Sequence, residues 1–152
     1  MTRVNNTDAL KKYALSLRKA KGKSVVVGLP KGEAASRVYK SGKTVLEVGV
    51  VHEYGKGKIP MRSFLRTPFI VHEKRLRAFI QKQFKLISEG KPSDDALALI
   101  GVFGENIVKE AFTTAGYGNW EPLSQRTIDE KGSSQILIDK GILRSSILSE
   151  VR

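Results

Sequence analysis

Thr44-Val45-Leu46-Glu47-Val48-Gly49-Val50-Val51-His52-Glu53-Tyr54-Gly55 is the stretch on which the fold turns. Read with a period of two, Leu46, Val48 and Val50 alternate as a strand would. Read with a period of 3.6, Thr44 and Glu47 make a capping box, in which each side chain satisfies an unpaired amide of the first helical turn. Val45, Val48, Val51 and His52 then share one helical face, and Gly55 stands where a left-handed glycine ends a helix. We assign a helix over 44–54, with a strand as the alternative.

On the N-terminal side, Thr7-Asp8 places a capping side chain and an acid at a helix start. Leu10, Tyr13, Ala14 and Leu17 follow at helical spacing up to Gly22, which predicts an amphipathic helix over about 8–20. Ser24-Val25-Val26-Val27-Gly28-Leu29, stopped by Pro30, is short and β-branched and reads as a buried strand. Residues 31–33 read as loop, and 36–40 as a short edge strand turning at Ser41-Gly42.

On the C-terminal side, residues 56–60 form a basic, glycine-rich loop. A long helical pattern runs over 62–88 through Phe64, Leu65, Phe69, Leu76, Phe79, Ile80, Phe84 and Ile87, with Pro68 near its start, where proline costs least. Gly90-Lys91-Pro92 breaks it. Ser93-Asp94-Asp95 caps a second long helix over 94–115, whose Gly101 and Gly104 invite close packing or a bend. Short helical pieces at 124–131 and 139–147 and a terminal strand at 148–152 complete the reading.

The 152 residues suffice for one domain with its own core. Without cysteine there are no disulfides and no thiolate metal sites. No apolar run approaches the roughly 20 residues of a membrane span, and residues 1–10 lack a signal peptide's apolar stretch. We expect a product that stays in the cytoplasm or joins a particle assembled there. The net charge of +12 is unevenly spread: residues 1–91 hold 21 Lys and Arg against 6 Asp and Glu, residues 92–152 hold 6 against 9. That asymmetry points to contact with a polyanion or to complementary packing between subunits.

Catalytic motifs are fragmentary. His52-Glu53 begins a zinc-protease pattern, but the second histidine of His-Glu-x-x-His is Lys56, and neither His52 nor His72 has a metal-ligand partner at i+3 or i+4. Ser16-Leu17-Arg18-Lys19 matches Ser-x-x-Lys without its companion elements. Gly55-Lys56-Gly57-Lys58 lacks the spacing of a phosphate-binding loop. Asp94-Asp95 and Asp129-Glu130 sit at helix starts or in polar turns, where capping and solvation account for them. We expect no enzymatic activity and no cofactor or metal.

Three segments, taken in order, resemble the tail-completion (neck, head–tail joining) proteins of long-tailed bacteriophages. Val48-Gly49-Val50-Val51-His52-Glu53-Tyr54-Gly55 is similar to that family's apolar helix closing on an Asn/His-Glu-Phe/Tyr-Gly turn. Ile59-Pro60-Met61-Arg62-Ser63-Phe64-Leu65-Arg66 is similar to its Ile-Pro-x-Arg-Pro-Phe-Leu/Met-Arg signature, with Ser63 in place of the usual proline. Pro122-Leu123-Ser124, Thr127, Lys131-Gly132 and Leu137-Ile138-Asp139-Lys140-Gly141-Ile142-Leu143-Arg144-Ser145-Ser146-Ile147 resemble its C-terminal run, with Lys140 in place of the usual threonine. The resemblance covers 24–152, leaving 1–23 as an added N-terminal helix. The closing Glu150-Val151-Arg152 suggests a complete chain.

The expected fold is α+β: a small, mostly antiparallel sheet from the Val25 and C-terminal strands, with 36–40 as a candidate third, packed against the two long helices and the N-terminal helix. The resemblance implies a structural virion protein at the neck, forming a sixfold or twelvefold ring. Its partners would be connector or stopper subunits on one side and tail-terminator or tail-tube subunits on the other. The alternatives are the neighbouring tail-terminator role and, from another class, a basic nucleic-acid-binding protein. Lys56, Lys58, Arg62 and Arg66 are the candidates for a subunit interface or a DNA channel, with Arg62 and Arg66 read as i,i+4 neighbours able to grip carboxylate or phosphate. His52, Glu53, Tyr54, Gly55, Pro60, Phe64, Asp139, Gly141 and Leu143 are expected to be structural: turn, cap and core. The composition, without large exposed apolar stretches, predicts a monomer in isolation that assembles on its partners.

Overall fold

The computed structural model describes residues 6–138 and 141–152. In chain order its elements are α1 (Asn6–Ala20), β1 (Val25–Gly28), α2 (Glu33–Ser36), α3 (Val45–Tyr54), α4 (Arg66–Val71), α5 (Glu73–Ser88), α6 (Ser93–Thr113), α7 (Gln125–Lys131), α8 (Ile142–Ser145) and β2 (Leu148–Val151). Helices and one two-stranded antiparallel sheet make this an α+β chain.

Residues 45–54 are helical, and the cap explains why. The Thr44 hydroxyl accepts from the Glu47 amide at 3.2 Å while the Glu47 carboxylate accepts from the Thr44 amide at 2.7 Å. The reciprocal pair fixes the first turn before any tertiary contact forms. Gly55 departs from the expected left-handed cap. Its φ of 74° is positive, but ψ is 154°, so the backbone leaves the helix extended. A Cβ there would lie 3.1 Å from the Met61 amide nitrogen and 3.2 Å from the Ile59 carbonyl oxygen, so glycine is needed for close backbone approach as well as for its φ.

The 21-residue α6 carries the sheet. Gly101 and Gly104 are the contact: a Cβ on Gly101 would lie 2.5 Å from Ser149 Oγ, and one on Gly104 would lie 2.9 Å from Val27 Cγ2. Two missing side chains one turn apart let both strands settle onto the helix. The strands pair in the register Val25↔Val151 to Gly28↔Leu148, which joins the two ends of the family-like region. Helix α1 packs on α5 and α6.

The core lies below the sheet at the C-terminal half of α6. Phe64 is fully buried with Val45, Val108, Phe112, Trp120, Leu143 and Ile147 around it. Its ring sits 5.4 Å from that of Phe112, which meets Trp120 edge-on at 5.8 Å. Such tilted pairs satisfy the aromatic quadrupoles.

Three further expectations change. The helical pattern over 62–88 is not one helix: it starts at Arg66 and breaks at His72, whose φ and ψ are −103° and 19°. The break lets Phe69 pack toward Gly104 and His72 stack edge-on against Tyr117 at 5.0 Å, while α5 turns to stack Phe79 on Phe103 at 4.1 Å. A single straight axis would have to forgo one of these contacts. Residues 36–40 are not a strand of the sheet. Ser36 ends α2, and Val38 makes only an isolated bridge to Thr44, because a tight turn (Gly42 N–H to Tyr39 O, 2.9 Å) feeds the chain straight into α3. Helix α8 covers only part of 139–147. Gly141 precedes it in left-handed geometry, and the expected Asp139 cap lies outside the described residues.

Candidate functional site

The two central family-like segments meet at one carboxylate. Glu53, on the last turn of α3, is 3% exposed. Its Oε1 accepts from Ser63 Oγ at 2.8 Å, from Arg66 Nε at 2.8 Å and from the Arg66 amide at 3.2 Å, and its Oε2 accepts from the Leu65 amide at 2.9 Å. Two of those donors are amides at the start of α4, which has no partner for them within the helix. Burial pushes the Glu53 pKa up, but the hydrogen bonds together outweigh it and hold the carboxyl below its ordinary value. Ser63 Oγ also accepts from the Thr67 amide at 3.2 Å, so the serine has its own part in the cap. The Arg66 guanidinium lies 4.6 Å above the Tyr54 ring, and Phe64 enters the core between the anchored residues.

A second linkage runs through His52 and Arg62. The Arg62 amide donates to the His52 carbonyl at 2.7 Å, and the Arg62 side chain donates to the Glu121 carbonyl from Nε (3.2 Å) and Nη2 (2.9 Å). Arg62 is 5% exposed. Its role here is to tie the 59–66 segment to the loop after α6, inside the fold. Burial, with Arg62 beside it, pushes the His52 imidazole down to about 4, so His52 is neutral at neutral pH. Its Nδ1 is buried without a hydrogen-bond partner.

These contacts alter the expected basic cluster. Arg62 precedes α4 and does not share a helical face with Arg66. The first is buried against carbonyls, and the second is paired with Glu53. Lys56 and Lys58 are exposed on an ordered tight turn, closed by Lys56 and Ile59 exchanging amide-to-carbonyl bonds of 3.0 Å. Pro60 is half-buried just after it. Gly141, at φ 70°, precedes α8, whose Leu143 is buried in the core.

Next to this hub of contacts around Glu53, the outer face of α3 carries an apolar stripe. Leu46 (45%), Val50 (50%) and Tyr54 (62%) form an i, i+4, i+8 stripe on the outer face of α3, and Met61 (59%) lies beyond it, 3.9 Å through Sδ from Arg66 Nη2. The stripe borders a groove of about 530 Å³, whose other side is the outer face of the sheet at Val26 and Leu148. The sequence reading missed this surface. Helix α3 is apolar on nearly every side, so periodicity has no polar face to contrast with. The signal that was available is the charge-free run from Val48 to Val51 on a chain that is 28% charged.

Among the described residues, no group of three His, Asp or Glu side chains converges as a metal site requires, and no helix is long and apolar enough to cross a membrane. Compared with protein-family models, with characterised proteins and with solved structures, the chain matches none.

Proposed function

We propose that this chain is a structural subunit of the neck of a tailed phage, part of a closed ring that completes the tail and joins it to the head. The observation that carries the reading is the union of the two signature-like segments at Glu53. The hub fixes α3 against the start of α4 and holds out an apolar stripe, Leu46, Val50, Tyr54 and Met61, from a strongly charged chain. Contiguous apolar surface framed by charge is what a protein–protein contact uses. The role is assembly, with no chemical step and no cofactor. Connector or stopper subunits and tail-terminator or tail-tube subunits are the neighbours. A sixfold or twelvefold ring uses heterologous contacts, in which one face of a subunit meets a different face of the next, and a basic 1–91 beside an acidic 92–152 suits that arrangement. Lys56 and Lys58 are free to face passing DNA or an acidic neighbour.

The experiment is deletion of the gene from its phage, with particles scored by electron microscopy. The reading predicts filled heads and separate, complete tails, rescued by the wild-type gene. Val50→Asp, on the exposed stripe, should fold but fail to rescue. Normal virions from the deletion would end the proposal.

A further inference from the structure

Helix α6 starts differently from the sequence reading. Ser93 is its first helical residue, Pro92 stands at the cap position, and no side chain caps this end. The Ala96 amide makes the first turn's bond, to the Pro92 carbonyl at 3.2 Å. The amides of Ser93, Asp94 and Asp95 have no acceptor among the described residues. Ser93 is 5% exposed, and its hydroxyl too has no hydrogen-bond partner among the described residues. A buried hydroxyl left in that state costs stability. Ser93 borders a hollow of about 300 Å³ where α1 meets the α5–α6 turn, and a group entering it would meet these donors.

The lining of the hollow is positively charged. Lys12 and Lys19 of α1 and Lys91 of the turn contribute to it. The Lys12 ammonium lies 3.8 Å from where a Cβ on Gly90 would stand, so it crosses from α1 to the turn. Neither Lys12 nor Lys19 has an ion-pair partner among the described residues. Lys91 donates to Gln83 Oε1 at 3.1 Å, which leaves two of its protons unspent. The one acid on the lining, Asp94, is already held by Lys23, and Asp95 does not line the hollow. Ammonium groups gathered at the positive end of a 21-residue helix repel it and one another unless an anion sits among them.

We propose that this hollow binds phosphate, free or as the terminal monoester of a larger molecule. The open amides at the start of α6 and Ser93 Oγ donate to its oxygens, and Lys12, Lys19 and Lys91 balance its charge. Ammonium groups are point charges that suit a tetrahedral anion. A planar carboxylate is gripped best by a guanidinium fork, and no arginine lines the hollow. A phosphodiester, as in a nucleic-acid backbone, has less charge and fewer free oxygens than a monoester, too few for these donors. The hollow is a different surface from the α3 stripe, so the inference stands whether or not the protein works at a phage neck.

The test is an NMR titration of the full ¹⁵N-labelled chain with inorganic phosphate at constant ionic strength. Saturable shifts should centre on the amides of Ser93, Asp94 and Asp95. Methyl phosphate should reproduce them, whereas dimethyl phosphate and acetate should not. Lys12→Ala with Lys19→Ala, at two exposed positions, should leave the core resonances in place and weaken phosphate binding by about tenfold or more. Ser93→Ala should weaken it by about threefold or more. Shifts that never saturate, or that spread equally over the lysines of α5, would mean a diffuse positive surface and overturn the proposal. An equal response to dimethyl phosphate or acetate overturns it too, as does unchanged affinity in the double lysine variant.

Discussion

Glu53 gathers four donors because a buried carboxylate without them would be far too costly to keep charged. Removing it leaves the Leu65 and Arg66 amides and the Ser63 hydroxyl proton without an acceptor. Glu53→Ala should therefore lower stability by about 3–5 kcal/mol, measured by denaturant unfolding. The same geometry sets a pH dependence. The carboxyl is more acidic folded than unfolded, so as pH falls the unfolded chain takes up the proton first, and the hub's contribution, present above the unfolded pKa, drains away through the folded one. His52 adds to this in the same direction. Its folded pKa near 4 lies below that of an exposed histidine, so unfolding takes up a proton between that ordinary value and about 4. We expect stability to fall on acidification through this window, and His52→Gln to flatten the fall there while leaving the lower, carboxylate step in place. Phe64→Ala, at the centre of the core, should cost about 3–5 kcal/mol; a melting temperature close to wild type would contradict its burial.

At the scale of elements, the helices with polar faces and the capped α3 were legible in the sequence, since a capping box and a 3.6 period are local signals. The strand at 25–28 was legible from its valines and Pro30, and the terminal strand expected over 148–152 lies at Leu148–Val151. The break at His72 was not, because residues 66–88 keep a helical pattern throughout and the interruption comes from what Phe69, His72 and Phe79 each pack against. Nor was the third strand refused by the sequence alone: 36–40 has strand-like residues, and the turn at Gly42 is what leads it into α3. The glycines of α6 were read as sites of close packing or of a bend, and close packing against the sheet is what they admit. Alanine at a helical position ordinarily gains about 1 kcal/mol over glycine. At Gly101 it must displace Ser149, which also holds Glu105, so Gly101→Ala should instead destabilise by about 1–3 kcal/mol, seen as a lower melting temperature.

For the whole molecule, the sequence conveyed the charge asymmetry but not its disposition. Spacing put Arg62 and Arg66 together on a helical face, while tertiary contacts turned one inward to the 121–122 carbonyls and the other onto Glu53. What remains exposed, Lys56 and Lys58 on their turn and the lysines of α1 and α5, is a diffuse positive field. Such a field gives salt-sensitive, sequence-independent DNA binding, for which we expect a dissociation constant of about 10⁻⁴–10⁻⁶ M at physiological salt; nanomolar, sequence-specific binding would favour a dedicated nucleic-acid-binding protein. The apolar stripe of α3 also revises the expectation of a chain without large exposed apolar stretches, since Leu46, Val50 and Tyr54 are exposed, and it is there that we propose the assembly contact. The most direct test of that assembly role is an electron cryomicroscopy reconstruction of the neck in purified virions of the phage that carries this gene. Our account predicts a sixfold or twelvefold ring at the head–tail junction whose subunits fit this fold, with α3 against a neighbouring subunit. Virions that lack the protein, or a junction whose density is filled by other chains, would contradict it.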